Sequence, residues 1–199
     1  DLQRRDFTIN TLALQLSPAS SFGQIVDFYG GLRDLDAKLI RVLHSLSFID
    51  DPTRILRAMR FAHRLAFVVE ERTSELISTA LPMLARITGE RLRNELALLL
   101  KEAEPEKGLV KLRERGILTA IHPQFAFSDA AAAGFEQVVK KWPEGFTLPE
   151  DLEPVYWHIW AGHLEPVALE AVCDRLLFGR KLADSMLQVA ELVQHSADL

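Results

Sequence analysis

Hydrophobic and polar positions change their period once along the chain. Before Phe48 the apolar runs are short and partly alternating; after it they recur at helical spacing. The segment 7–16, FTINTLALQL, alternates in part and is rich in Ile, Leu and Thr, which predicts a strand. Ser17 to Gly23 carries one proline, three serines and a glycine and predicts a turn. A second short strand over 24–28 would complete a hairpin, which Gly30-Gly31 breaks. A short helix is expected over 32–39 and a short strand over 40–43.

Beyond this point the pattern is helical. Asp50 or Asp51 can cap a helix, and Pro52 then falls near its first position, where the missing N–H costs nothing. That helix should run to about Ala66. Further helices are expected over 71–84, 89–102, 105–115, 129–141, 151–163, 165–177 and 180–195. Thr88 suits an N-cap and Gly116 a C-terminal stop. The loop 142–150, WPEGFTLPE, with two prolines and a glycine, reads as a linker. The fold class expected is therefore mainly α with a short β segment at the start.

Composition bounds the rest. With 199 residues, 48% of them hydrophobic, the chain can bury the core of one large domain or two small ones. The single cysteine, Cys173, excludes an internal disulfide and suits a reducing cytoplasm. No apolar run reaches the ~18 residues of a membrane span. The first six residues, DLQRRD, are charged or polar except Leu2, unlike a signal peptide. The chain opens without Met inside that charged segment, which implies a piece of something longer.

A net charge of −5 argues against a nucleic-acid binder, but the charge is uneven. Residues 1–115 carry 18 Lys and Arg against 16 Asp and Glu, whereas residues 116–199 carry 5 against 12. Local potential, not total charge, decides whether a polyanion binds.

The most informative helix reads DPTRILRAMRF. At about 100° per residue, Arg54, Arg57, Arg60 and Arg64 share a face about 120° wide, with Ile55, Ala58, Met59, Ala62 and Leu65 opposite. Stacked like charges repel by a few tenths of a kcal/mol per pair. The stripe is either a solvated basic face or a phosphate-binding one, and spacing leaves both open. Arg4-Arg5-Asp6 forms a second basic cluster that is weak alone. Asp34-x-Asp36 invites a two-metal reading, but the pair sits at a helix start, where Asp caps N–H groups and offsets the dipole. We take it as structural. Glu90, Arg91, Arg93 and Glu95 suit helix-surface ion pairs. The six histidines show no tight metal spacing, and Trp142, Trp157 and Trp160 read as core before they read as RNA-stacking platforms.

Taken in order, DLQRRDFTINTLAL, DFYGGLRDLDAKLIRVL, FIDDPTRILRAMRFAHRLAF and ERLRNELALLL resemble the successive motifs of the tRNA nucleotidyltransferases (CCA-adding enzymes) and bacterial poly(A) polymerases. The resemblance covers residues 1–102; residues 103–199 resemble the family only as a helical body of suitable length. It implies the neck and body of a class II nucleotidyltransferase, with residues 1–46 ending the head domain, 47–115 forming the neck and 116–199 starting the body. It also implies nucleotidyl transfer from ATP or CTP to the 3′ end of tRNA or another RNA. The Mg²⁺ ions of that reaction would be held by an upstream part.

By the same resemblance Arg5 contacts the nucleotide, Asp51 and Arg54 form the base-reading pair, and Arg57 and Arg60 are further nucleotide contacts. Asp50 stands where the family usually has Glu, and Thr11 where it commonly has Ala. The chemistry agrees with the pair. Cytosine and adenine present an exocyclic amine beside a bare ring nitrogen, so a carboxylate accepts from one and a guanidinium donates to the other. Uracil and guanine reverse both contacts. Two rival readings stay open: a helical RNA-binding module with no nucleotide site, and a scaffold whose arginines pair with the acidic second half.

Overall fold

The computed structural model describes residues 2–145 and 147–197. The chain divides into two compact units, Asp1–Ala80 and Leu81–Leu199, each with its own core.

In the first unit, β1 (Ala13–Leu14) and β2 (Ile25–Val26) pair antiparallel as a hairpin, Ala13 against Val26 and Leu14 against Ile25. The strand expected over 7–16 is mostly absent. Phe7 makes an isolated bridge to Val42, and Thr8–Asn10 is a 3-10 turn. Local side chains compete for the backbone there. Thr11 Oγ1 donates to the Thr8 carbonyl at 2.6 Å, and Asn10 Nδ2 to Asp6 Oδ1 at 2.8 Å.

Helix α1 (Gly31–Asp36) starts after Gly30, whose φ of 75° lies in the left-handed region. Its cap is Asp27, which accepts from the Tyr29, Gly31 and Leu32 N–H groups at 3.2, 2.9 and 3.0 Å. The Leu32 N–H first, then those of Gly31 and Tyr29, hold the Asp27 carboxyl below its ordinary range. Gly31 sits so close to Thr8 that a Cβ there would lie 2.5 Å from the Thr8 carbonyl oxygen. Asp34 does not cap the helix, contrary to the expectation from its position. It is buried and accepts from Thr8 Oγ1 at 2.7 Å and Arg41 Nε at 3.0 Å. Its work is structural, though by a different bond.

Strand β3 (Leu39–Ile40) pairs parallel with β4 (Val68–Val69), a strand the sequence pattern does not mark. Between them lie the short helix α2 (Ser47–Asp50) and α3 (Thr53–Arg64). After β4 comes α4 (Glu71–Ala80). Phe7, Ile40, Phe48, Ile55, Ala58, Met59 and Ile77 fill the core.

The second unit is helical. A 3-10 stretch (Leu81–Arg86) precedes α5 (Gly89–Leu100), α6 (Pro105–Glu114), α7 (Ile117–Ile121), α8 (Asp129–Lys140), α9 (Glu153–Ala161), α10 (Pro166–Leu176) and α11 (Arg180–Ala197). The boundaries lie close to those expected, except for α7, a single buried turn too short to carry a period. Gly116 turns the chain between α6 and α7 at φ 68°. Ser128 caps α8 by accepting from the Ala131 N–H at 3.0 Å. Of the linker 142–150, Phe146 lies outside the described residues.

Trp157 and Trp160 are core, as expected. Trp160 stacks on Phe125 and on Trp157 with centroids 4.4 and 5.5 Å apart. His158 is held by the Pro154 carbonyl and Ser185 Oγ. Arg93 departs from the ion-pair expectation: its Nη1 donates to the carbonyls of Leu176, at 3.1 Å, and Leu177. A cation at those last carbonyls complements the C-terminal end of α10. Helix α5 reaches α10 this closely because Gly89 has no side chain; a Cβ there would lie 2.1 Å from the Arg175 carbonyl oxygen. No helix among the described residues is long and apolar enough to cross a membrane.

Candidate nucleotide-binding site

Helix α3 carries the arginine stripe. Its buried face is Thr53, Ile55, Leu56, Ala58, Met59, Arg60 and Ala62. Two positions depart from the expected faces. Arg60 is only 6% exposed, so it does not share a solvated stripe, and Leu65 is 38% exposed. Arg60 lies with its guanidinium 4.9 Å from the centre of the Phe61 ring, and Arg57 lies 5.5 Å from the same ring. Phe61 meets Phe7 edge-on at 5.8 Å. Cation–π contact lets these guanidiniums pack against apolar surface.

The two basic clusters separate in sequence come together in space. Arg57 donates from Nε and Nη2 to Asp6 Oδ2 at 2.8 and 2.6 Å. Arg54 donates from Nη2 to the Arg4 carbonyl at 2.9 Å. Residues 4–6 are thus tied to α3 on both sides of Arg5. Burial pulls the Asp6 carboxyl upward. Asn10, Arg57 and the Phe7 N–H outweigh it, and the net direction is down. Asp6 is therefore a buried carboxylate kept charged by its partners. Arg5 itself is exposed, between these two anchors.

At the start of α3, Asp51 Oδ1 accepts from the Thr53 N–H at 3.2 Å and the Thr53 hydroxyl at 2.7 Å. Asp51 thus does the capping expected of it, although Pro52 occupies the N-cap position. Arg54, one turn on, donates from Nη1 to Ser47 Oγ at 2.7 Å. Its five N–H donors exceed what these anchors consume. Asp50 is exposed, with His44 Nε2 3.8 Å away.

Of the residues singled out, the structure joins Arg54 and Arg57 to the Arg4–Asp6 segment and sets Asp51 at the head of the same helix. Sequence reasoning missed Asp6, Asn10, Ser47 and Thr53, which hold the site's parts. Asp6 stood in a recognised cluster but had no assigned role. Ser47 lies in a helix of four residues, too short to give a signal.

Metal chemistry finds no match here. Asp34 is engaged by Thr8 and Arg41, and no group of three or more His, Cys, Asp or Glu among the described residues is arranged to hold a metal ion. An open groove of about 630 Å³ in the same unit is lined by Leu39, Val69, Glu70, Glu71, Glu75 and Ser78. Its acidic lining has the wrong sign for a triphosphate.

Comparison with known proteins bears on both units. The family model "Poly A polymerase head domain" matches residues 1–41. The model "Probable RNA and SrmB- binding site of polymerase A" matches residues 66–128. An A-adding tRNA nucleotidyltransferase of Geobacter sulfurreducens is 39% identical over 195 residues, which are 95% of this chain and 22% of that protein. One from Halalkalibacterium halodurans is 34% identical over 213 residues, covering 100% of this chain and 47% of the relative. Among solved structures, the Thermotoga maritima CCA-adding enzyme complexed with tRNA superposes with a TM-score of 0.80 at 37% identity. That match covers 96% of this chain and 47% of the other. A CCA-adding enzyme with ATP matches with a TM-score of 0.80 at 38% identity, over 94% of this chain and 45% of that one. The chain therefore spans about half the length of the relatives it matches, or less.

Proposed function

The chain belongs to the tRNA nucleotidyltransferase and poly(A) polymerase family, and from that premise we propose that it is the nucleotide- and RNA-binding portion of an enzyme that adds A, or C and A, to RNA 3′ ends without a template. Within it, residues 1–46 would end the head domain, 47–115 would form the base-reading neck, and 116–199 would start the body that grips the tRNA acceptor arm. Arg5, Arg57 and Arg60 would meet the nucleotide, and Asp51 with Arg54 would read its base.

The observation that carries this reading is the docking of Arg4-Arg5-Asp6 onto α3. Arg57 and Arg54 fasten the segment at Asp6 and at the Arg4 carbonyl, and the exposed Arg5 lies between the fastenings. That gives one cationic locus beside the Asp51/Arg54 pair. Mutually repelling cations held in place this way favour an anion, because the repulsion is relieved when phosphate arrives.

The reaction divides accordingly. Mg²⁺, when bound, supplies charge neutralisation at the transferring phosphoryl group. The described residues do not fit it, so this chain's share is binding and orientation. Arg5 would hold phosphate charge. Asp51 would accept from the exocyclic amine of adenine or cytosine, and Arg54 would donate to the ring nitrogen. A mismatched polar edge leaves groups unpaired at about 1–3 kcal/mol each. We place the protein in the cytoplasm, where tRNA-processing relatives would meet their RNA.

Titration of this chain with ATP in the absence of RNA tests the proposal. Saturable binding that weakens with added salt is expected. RNA binding with no ATP binding would instead favour the RNA-binding module without a nucleotide site.

A further inference from the structure

We propose that Ser47 is a positioning residue for nucleotide choice, because it holds both members of the Asp51/Arg54 pair at one point. The inference rests on the base-reading assignment made above.

Ser47 is fully buried, at 0% exposure, and opens the one-turn helix α2. Its carbonyl accepts from the Asp51 backbone N–H at 3.2 Å, which closes that turn. The same carbonyl lies 3.4 Å from Arg54 Nη1, and the Ser47 hydroxyl accepts from that nitrogen at 2.7 Å. One residue thus sets the backbone of the carboxylate and the side chain of the guanidinium. Arg54 Nη2 is held separately, by the Arg4 carbonyl at 2.9 Å.

Two anchors on two nitrogens fix the plane of a guanidinium, whereas one anchor leaves it free to swing about that bond. An Arg side chain has many rotamers, so an unpinned Arg54 would present its donors to a base in many directions. Reading a ring nitrogen needs one direction, in the plane shared with the Asp51 acceptor. A buried serine hydroxyl needs a hydrogen-bond partner, and a neutral one would give it no bearing on a base. Here its only partner among the described residues is the charged group that would touch the base.

The experiment measures the affinities of this chain for ATP, CTP, GTP and UTP, by competition against a fluorescent ATP analogue. It compares wild type, Ser47→Ala, Arg54→Ala and the double variant, each checked for folding by circular dichroism. Ser47→Ala should weaken ATP and CTP binding about fivefold to tenfold, the scale of one hydrogen bond. It should leave GTP and UTP unchanged, so the preference narrows. In the Arg54→Ala background the same change should do nothing further.

An equal loss for all four nucleotides would overturn the proposal, since a general structural role does that. So would an unchanged preference in Ser47→Ala when Arg54→Ala abolishes it, and that result would leave the base-reading assignment standing. A preference that survives Arg54→Ala would remove the assignment and this proposal together. Should Ser47→Ala fail to fold, the unmodified chain still decides. Distinct, slowly exchanging Arg54 Nη resonances by NMR are expected, and a single averaged resonance overturns the idea.

Discussion

Arg57 directs both Nε and Nη2 at a single oxygen of Asp6, at 2.8 and 2.6 Å, while Asn10 and the Phe7 N–H take the other oxygen at 2.8 and 2.9 Å. A carboxylate so engaged resists protonation. Burial acts the other way and is the largest single influence, but Asn10, Arg57 and Phe7 together bring the Asp6 carboxyl below its ordinary 3.8. A group whose folded pKa is depressed contributes stability above its unfolded value and loses it as pH falls through the folded one. The thermal midpoint of the wild type should therefore drop as pH is lowered from about 4. Asp6→Asn, which lacks that titration, should show a shallower fall, and equal slopes in the two melting series would contradict the account. At neutral pH, Arg57→Ala should cost about 2 kcal/mol in urea unfolding, the scale of hydrogen bonds to a charged group.

Arg5 separates binding from stability. It is exposed, and its neighbours Arg4 and Asp6 carry the bonds to α3. Arg5→Ala should leave the melting temperature unchanged within about 0.5 kcal/mol of stability, as surface substitutions do. It should weaken ATP binding severalfold and flatten the salt dependence of that binding. Calorimetric titration at two ionic strengths, beside a thermal melt, reads both effects.

The helical unit depends on one close approach. A Cβ on Gly89 would lie 2.1 Å from the Arg175 carbonyl oxygen and 2.9 Å from the Leu176 carbonyl carbon, all backbone atoms that cannot swing aside. Gly89→Ala should destabilise the protein by about 3 kcal/mol, at the upper end for overpacking, despite the better helix propensity of alanine. Denaturant unfolding checks it. An unchanged or raised midpoint would mean that α5 and α10 do not approach as described.

What could be read from the sequence followed the length of the signal. Helix α3 holds its period over three turns, and α5, α6, α8, α10 and α11 likewise sit close to where spacing puts them. Single-turn elements did not show: α2 and α7 have four and five residues, less than one repeat and a half of the helical period. The supposed strand 7–16 had the composition of a strand, but Asn10 and Thr11 bond locally and turn it. Val68–Val69 pairs with residues nearly thirty positions earlier, a partnership no local pattern contains. At the site, the charges were visible and their partners were not. Arg60 looked like part of a solvated stripe but is buried against Phe61, and Asp34 looked like a cap but is bonded to Thr8 and Arg41. Thr8 reaches Asp34 from 26 positions earlier in the chain, beyond any local pattern.

The central claim is that Asp51 and Arg54 read the base, and nucleotide preference in three variants tests it most directly. Asp51 Oδ1 also caps α3 through Thr53, so Asp51→Ala loses a cap worth about 1 kcal/mol along with the acceptor. Asp51→Asn separates these roles: its carbonyl oxygen can keep the cap, while its amide turns a donor toward the exocyclic amine. Dissociation constants for ATP, CTP, GTP and UTP should converge in Asp51→Ala and Arg54→Ala, the gap shrinking by about 1–3 kcal/mol per lost contact. Asp51→Asn should bind ATP and CTP less well than Asp51→Ala does while melting at a higher temperature. If all three variants keep the wild-type order and spacing of the four constants, α3 does not read the base, and the function proposed for this chain loses its specificity mechanism.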